Sequence, residues 1–132
     1  MAKKEFTFKG KKLEELQALD IKEFAELLPA RQRRTLVRGL TDAQKTFMLK
    51  VQKAKDGKYK KPVRSHCRDM IVLPIMVNMT LHIYRGKDFV PILIQPEMIG
   101  HYLGEFSLSR NRVAHSAPGV GATKSSAATS KK

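Results

Sequence analysis

The fold is decided by residues 68–115, RDMIVLPIMVNMTLHIYRGKDFVPILIQPEMIGHYLGEFSLSRNRVAH. Within this stretch, residues 79–84 alternate apolar and more polar side chains, which is the two-residue period of a half-buried strand. Residues 88–94 form a second run that is apolar and rich in β-branched side chains. A short helical pattern and a basic, polar end follow these runs. We therefore expect a small folded core in this part of the chain.

A glycine-containing gap, Arg85-Gly86-Lys87, separates the two apolar runs. Because glycine readily adopts the positive φ that tight hairpin turns need, the pattern predicts an antiparallel hairpin. Pro91 cannot donate a hydrogen bond to a neighbouring strand, so its strand should be an edge strand or the proline should face away from its neighbour. Residues 70–73 are predicted to form a third strand, since a lone hairpin is only marginally stable in water.

The segment after the hairpin predicts a covering helix that begins at Pro96. Its apolar stripe consists of Met98, Ile99, Tyr102, Leu103 and Phe106. Gly100 and Gly104 lie on another face, and each costs a helix roughly 1 kcal/mol relative to alanine. Two explanations of these glycines remain open: another part of the protein approaches the backbone closely, or the helix frays near its end.

Capped helical patterns precede this core, although residues 1–12 give no clear prediction. One helix is predicted to start after Asp20 and to end at Pro29. Thr41 and Gln44 have the spacing of a capping box for a later helix. Residues 1–29 carry six basic and six acidic side chains. We interpret the first helix as a packing element that contacts the core or a neighbouring protein.

An arginine-rich helix is predicted over residues 30–39, which contain no acidic side chain. Arg31, Arg34 and Arg38 share one helical face, and Arg33 adds a fourth arginine. The arginine fork suits bidentate contact with phosphate, so the pattern favours contact with RNA. The alternative is a solvated charged face.

The balance of charge points to a polyanionic partner. The chain has 26 Lys and Arg against 12 Asp and Glu, a net charge of +14. Since residues 1–29 are balanced, the whole excess lies beyond Pro29. Such an excess destabilises a compact state unless it is neutralised, which makes nucleic acid the leading partner.

The single cysteine, Cys67, excludes an intramolecular disulfide, and with His66 alone beside it no metal-site spacing is present.

A basic loop and a basic end flank the core. Residues 50–68 contain eight Lys or Arg and one acid, so we expect this loop to be ordered by a polyanion. Tyr59 and His66 offer flat rings for stacking on unpaired bases, and for Tyr59 packing on the core is the equal alternative. Residues 116–132 are small and polar, which predicts a disordered tail.

Several motifs resemble the S-nineteen family of small-subunit ribosomal proteins. They are Gly86-Lys87, Val90-Pro91, Glu97-Met98-Ile99-Gly100-His101 and Leu103-Gly104-Glu105-Phe106. The resemblance extends from about Lys60 to His115. The family's hairpin tip usually carries a small polar residue before the glycine, whereas this chain has Arg85. The helical region before Lys60 is similar to the longer N-terminal part of archaeal and eukaryotic members.

The expected architecture is an α+β fold with N-terminal helices, a small three-stranded, mainly antiparallel sheet, a covering C-terminal helix and a basic disordered tail. Residues 1–59 would form a helical region with the basic loop, residues 60–115 an RNA-binding core, and residues 116–132 the tail. The resemblance implies a structural constituent of the small ribosomal subunit. It further implies binding to ribosomal RNA (rRNA) in the subunit head near the A site, beside a protein of the S-thirteen family, with the tail directed towards A-site transfer RNA.

The candidate RNA-binding residues are basic, ring-bearing or hydroxyl side chains from the helices, the loop, the hairpin and the end of the core. They are Arg31, Arg33, Arg34, Arg38, Lys53, Lys55, Lys58, Lys60, Lys61, Arg64, His66, Arg68, Arg85, Lys87, His101, Ser107, Ser109, Arg110, Arg112 and His115. No catalytic residue, metal site or cofactor is expected, and we expect a cytoplasmic protein on the ribosome.

Three other classes of function fit the sequence less well. A DNA-binding regulator would place the arginine helix in a major groove, but no clear dimer surface accompanies it. An enzyme acting on RNA would need a nucleophile and base, or paired carboxylates, and neither pattern is convincing. A basic helix on an anionic membrane would need aromatic anchors that the arginine helix lacks. No apolar run approaches the ~20 residues of a membrane span.

Overall fold

A computed structural model of the protein describes residues 6–110 and 112–114. His115 and the predicted tail at residues 116–132 lie outside the described residues. The elements are β1 (Thr7–Phe8), β2 (Lys11–Lys12), α1 (Leu13–Ala18), α2 (Ile21–Glu26), α3 (Ala30–Val37), α4 (Asp42–Lys55), β3 (Val63–Ser65), β4 (Thr80–Tyr84) and β5 (Phe89–Leu93). Short 3-10 helices span Pro74–Met76, Pro96–Met98 and Leu103–Phe106. The mixed α+β class is as predicted.

The predicted helix starts are confirmed by their caps. The Asp20 carboxylate accepts a hydrogen bond of 2.8 Å from the backbone N–H of Ile21, at the start of α2. At the start of α4, the Thr41 hydroxyl accepts from the Gln44 N–H at 3.4 Å, and the Gln44 side chain accepts from the Thr41 N–H at 3.1 Å. These caps satisfy backbone donors that the first turn leaves free. The β1–β2 hairpin and α1 were not predicted, because each of the two strands has only two residues and α1 starts after Lys12, which is not a favoured N-cap residue.

The central sheet has the strand order β3-β4-β5. β4 and β5 pair antiparallel from Thr80 opposite Leu93 to Tyr84 opposite Phe89, which confirms the predicted hairpin. β5 lies at the edge of the sheet, where the missing N–H of Pro91 does no harm. The third strand, however, is Val63–Ser65, and it pairs with β4 in the parallel direction.

The prediction of a strand at residues 70–73 is wrong. All four of these side chains are buried, with no more than 3% of their surface exposed, but the run pairs with no strand of the three-stranded sheet. Their backbone instead bonds to the segment after the hairpin, with Val72 N–H donating to the His101 carbonyl at 2.8 Å. Ile71 and Tyr102 form an isolated antiparallel bridge. The run therefore threads through the core and is not part of the sheet.

The predicted covering helix is replaced by two 3-10 helices, and Gly100 lies at the break between them. Gly100 has a φ of +84°, which interrupts helical geometry, and a Cβ there would lie 2.8 Å from Leu28 Cδ2. A Cβ on Gly104 would lie 3.0 Å from the Arg68 carbonyl oxygen. The explanation by close approach is therefore correct. Ile99 and Leu103 of the predicted stripe are still buried, so the segment covers the core without being an α-helix.

The core joins the N-terminal helices to the sheet. Leu16, Phe24 and Phe47 come from the helices, and Leu81 and Ile83 come from β4, all in one cluster of buried side chains. Burying apolar surface is the main favourable contribution to folding. The helices therefore hold the sheet on its inner side and leave its other side to the surroundings.

We predict that Gly100→Ala destabilises the protein more than Gly57→Ala does. Both glycines have positive φ, +84° and +72°, so both substitutions strain the backbone by about 1 kcal/mol. Only Gly100 has a neighbour within 4 Å of the added methyl group, so displacing the buried Leu28 side chain should add roughly 1 kcal/mol there. Urea unfolding measures both. Equal losses would contradict the close approach of Leu28.

Candidate nucleic-acid interface

The basic loop is anchored at both ends by secondary structure. α4 continues to Lys55 and β3 begins at Val63, so the expectation that residues 50–68 are ordered only by a polyanion is too broad. Tyr59 is half-buried and packs on the core, which favours the packing alternative for its ring. The lysines between the anchors, Lys58, Lys60 and Lys61, are exposed. They are thus held near the sheet with their charges in solvent.

Two shallow depressions bring basic groups from α4 and β3 together. Lys50, Lys61 and Arg64 line one of them, with Tyr59 and Pro62. The second is lined by Lys50, Arg64 and His66 together with residues of α4. Because the two depressions share Lys50 and Arg64, they adjoin each other. The arrangement presents several cations to one concave surface, which suits a phosphate backbone.

The arginines of α3 form a second basic surface. Arg31, Arg34 and Arg38 are exposed, and within residues 6–110 and 112–114 no salt bridge involves them. Arg33 is also exposed, but its guanidinium donates to the Leu28 carbonyl at 3.0 Å. This bond ties Arg33 to the link between α2 and α3, so the other three are better placed to bind phosphate.

Arg68 and Ser107 contribute to the fold rather than to the basic surface. The Arg68 guanidinium donates to the carbonyls of Tyr84 at 2.7 Å, Gly104 at 2.9 Å and Ser107 at 2.6 Å. Ser107 is 1% exposed, and its hydroxyl donates to the Ile83 carbonyl at 3.5 Å. Their donors are therefore used inside the protein, which argues against the prediction that they bind RNA. Charge and hydroxyl content alone did not reveal this.

Two further candidates are engaged with acidic neighbours. The Arg85 guanidinium donates to both carboxylate oxygens of Asp88, and this hydrogen bond lowers the pKa of Asp88. His101 Nδ1 lies 2.8 Å from Glu105 Oε2. Lys87, at the same hairpin tip, is exposed. Lys87 therefore has its charge in solvent, whereas the charge of Arg85 is paired with Asp88.

Most of the remaining candidates are exposed. Exposed side chains among them are Lys53, Lys55, Ser109, Arg110 and Arg112, while His115 lies outside the described residues. The described part of the chain contains no group of three or more His, Cys, Asp or Glu side chains that could hold a metal ion. None of its helices is both long enough and apolar enough to span a membrane.

We predict that Arg68→Ala lowers the free energy of unfolding by roughly 2–4 kcal/mol, because three part-buried carbonyls lose a charged donor and such acceptors are destabilising when unpaired. Arg34→Ala is the matched control, since it removes an exposed arginine and should change stability by no more than about 0.5 kcal/mol. Chemical denaturation compares the two. A stable Arg68→Ala protein would mean that the bonds are dispensable.

A comparison with protein families identifies the chain. The model of the family described as Ribosomal protein S19 matches residues 34–115, which is more than half of the chain and includes most of the basic surface. Proteins of this family are structural constituents of the small ribosomal subunit, bind rRNA together with other ribosomal proteins in the cytoplasm, and are not known as enzymes. The chain therefore belongs to the ribosomal protein S19 family.

Proposed function

We propose that this protein binds rRNA in the head of the small subunit, near the A site, through the basic surfaces of α3 and of the loop before β3. The observation that carries the proposal is the pair of adjoining depressions in which Lys50, Lys61 and Arg64 converge. Cations on a rigid, concave surface neutralise phosphates and fix the register of a folded RNA. The head and A-site placement is what the resemblance to the family implies.

In this proposal, the part that each residue takes in phosphate binding follows from how exposed its side chain is. Exposed lysines of the loop and exposed arginines of α3 are the primary ligands in this proposal. Lys53, Lys55, Lys87, Ser109, Arg110 and Arg112 extend that surface. Arg33, Arg85 and His101 keep internal partners and take a smaller part. His115 stays in the proposal on its sequence alone.

A different surface faces a protein neighbour in this proposal. Residues 13–29 carry five acids and one lysine, a net charge of −4 on a chain of +14 overall. Next to these acids lies an apolar groove lined by Leu16, Leu19, Phe24 and Met48, among others. Acidic charge repels RNA, whereas an apolar groove lined in part by an acidic segment suits a basic ribosomal protein. We assign this surface to the neighbour of the S-thirteen family that the resemblance implies.

The N-terminal helices and the tail refine the proposal. α1 and α2 precede the matched span, and we propose that they mark the archaeal or eukaryotic type of the family. Residues 116–132 contain three lysines and no acid. We propose that they reach towards the decoding region and contact A-site transfer RNA through their charge.

We predict that the triple variant Lys58→Ala, Lys60→Ala and Lys61→Ala binds a transcript of the small-subunit head domain more weakly and with a shallower salt dependence. Each lost phosphate contact should reduce the slope of log K against log salt by about 0.7–0.9, so the slope should fall by about 2 to 3. Filter binding across a salt series measures affinity and slope together.

The control for this experiment is Lys22→Ala, which removes the lysine of the acidic segment and should leave the slope unchanged. All of these lysines are exposed, so unfolding curves should match those of the unmodified protein. A slope that stays the same in the triple variant, or equal binding to a transcript from another domain of the subunit, would refute the proposed interface.

We also predict that removing residues 116–132 leaves incorporation into small subunits largely intact but changes A-site transfer RNA binding. The proposed rRNA ligands all precede this segment, whereas its three lysines can make transient electrostatic contacts. Subunit occupancy is measured by sedimentation, and A-site binding by retention of labelled transfer RNA. If both quantities are normal, the segment has no such role; if incorporation fails, it is required for assembly.

A further inference from the structure

The outer face of the three-stranded sheet carries rings and a cation instead of a covering element. The register aligns Arg64 with His82, and Tyr84 with Phe89. Because side chains alternate across a strand, these residues share the face opposite Leu81 and Ile83, which are buried in the core. The burial patterns agree, since Arg64 is exposed while His82, Tyr84 and Phe89 are only half-buried. No element among the described residues closes this face.

Three rings form one cluster at the end of that face where the hairpin turns. The ring centroids of His66 and Tyr84 are 4.5 Å apart, and those of Tyr84 and Phe89 are 5.1 Å apart. His66 also meets Phe89 edge-on at 5.1 Å with an interplanar angle of 80°. His66 is exposed even though it contacts both other rings. The cluster is thus a preorganised aromatic surface that remains open to solvent.

Positive charge borders the rings. The Arg64 guanidinium carbon lies 5.4 Å from the centroid of Phe89, within the range of a cation–π contact. Arg64 also lines both depressions, in one of which it lies with His66 and Lys50. A purely apolar protein segment would gain little from these cations. A nucleotide matches both features, because its base stacks on the rings and its phosphates meet the cations.

We propose that His66, Tyr84 and Phe89 form a stacking platform for an unpaired rRNA base, with Arg64 holding the adjacent phosphate. This inference rests on the proposed function and assigns one class of contact within it. The platform binds by stacking and by charge, and it places no hydrogen-bond demand on base identity. It therefore favours a bulged or loop nucleotide over a paired one, since only an unpaired base can be splayed onto a ring surface.

The test uses the full-length protein and a head-domain rRNA transcript, with the variants His66→Leu and Phe89→Leu. Each introduces leucine, an apolar side chain of similar size, and removes an aromatic ring. Loss of stacking should weaken binding roughly 10- to 100-fold while the slope of log K against log salt stays unchanged, because no phosphate contact is lost. Leu93→Ala is the control, as Leu93 is 55% exposed on the same strand but distant from the rings, and its affinity should not change.

The outcomes separate the platform from the general interface. If the unmodified protein binds with a steep salt dependence and both ring variants bind equally well, the platform is refuted while the proposed function stands. If the unmodified protein shows no salt-dependent binding, the proposed function itself fails. A ring variant whose slope falls by about 1 would assign a phosphate contact and refute stacking. If the ring variants keep their RNA affinity but assembled subunits lose a neighbouring protein, the outer face of the sheet binds protein and the platform is refuted as well. If urea unfolding shows that Phe89→Leu is destabilised, the affinity of the His66→Leu variant decides between the outcomes, because His66 is exposed.

Discussion

The rest of the structure depends on the hydrogen bonds that the Arg68 guanidinium donates. Its donors join the end of β4 at Tyr84 to the backbone of Gly104 and Ser107, so one side chain fixes the C-terminal turns against the sheet. The glycine is part of the same constraint, because a methyl group at position 104 would lie 3.0 Å from the Arg68 carbonyl. A charged group bonded to three carbonyls is expensive to disturb, since its removal leaves acceptors without donors. The positive charge of Arg68 therefore stabilises the fold.

The chain has a net charge of +14, and its acidic and basic side chains are concentrated in different segments. The acids are concentrated in α1, α2 and the residues that flank them, where an apolar groove lies beside them. The cations gather on α3 and before β3, where few acids oppose them. The acidic helices and the basic segments thus follow one another along the chain, while both pack on the same core. In the proposed function, the basic segments contact RNA and the acidic segment contacts a protein neighbour.

The small sheet holds the basic and aromatic side chains in fixed positions, although its own surface is small. β3 has three residues, yet its parallel pairing with β4 places Arg64 on the outer face and Val63 and Ser65 on the inner one. The same pairing brings the basic loop to the hairpin, so that His66 meets Tyr84 and Phe89. Rigid placement matters here because ordering long basic side chains and a loop at the moment of binding would cost entropy.

The sequence by itself determined the features that depend on near neighbours or on summed charge. Among these are the caps at Asp20 and Thr41, the β4–β5 hairpin with Pro91 on an edge strand, and the basic character that points to RNA. Only the tertiary structure decided that residues 63–65 form the third strand, that residues 70–73 cross the core, and that Arg68 is bonded inside. These features depend on contacts between residues far apart in the chain, and no local period records them. A lysine or arginine looks the same in sequence whether its partner is a phosphate or a distant carbonyl, so only the fold could separate the two.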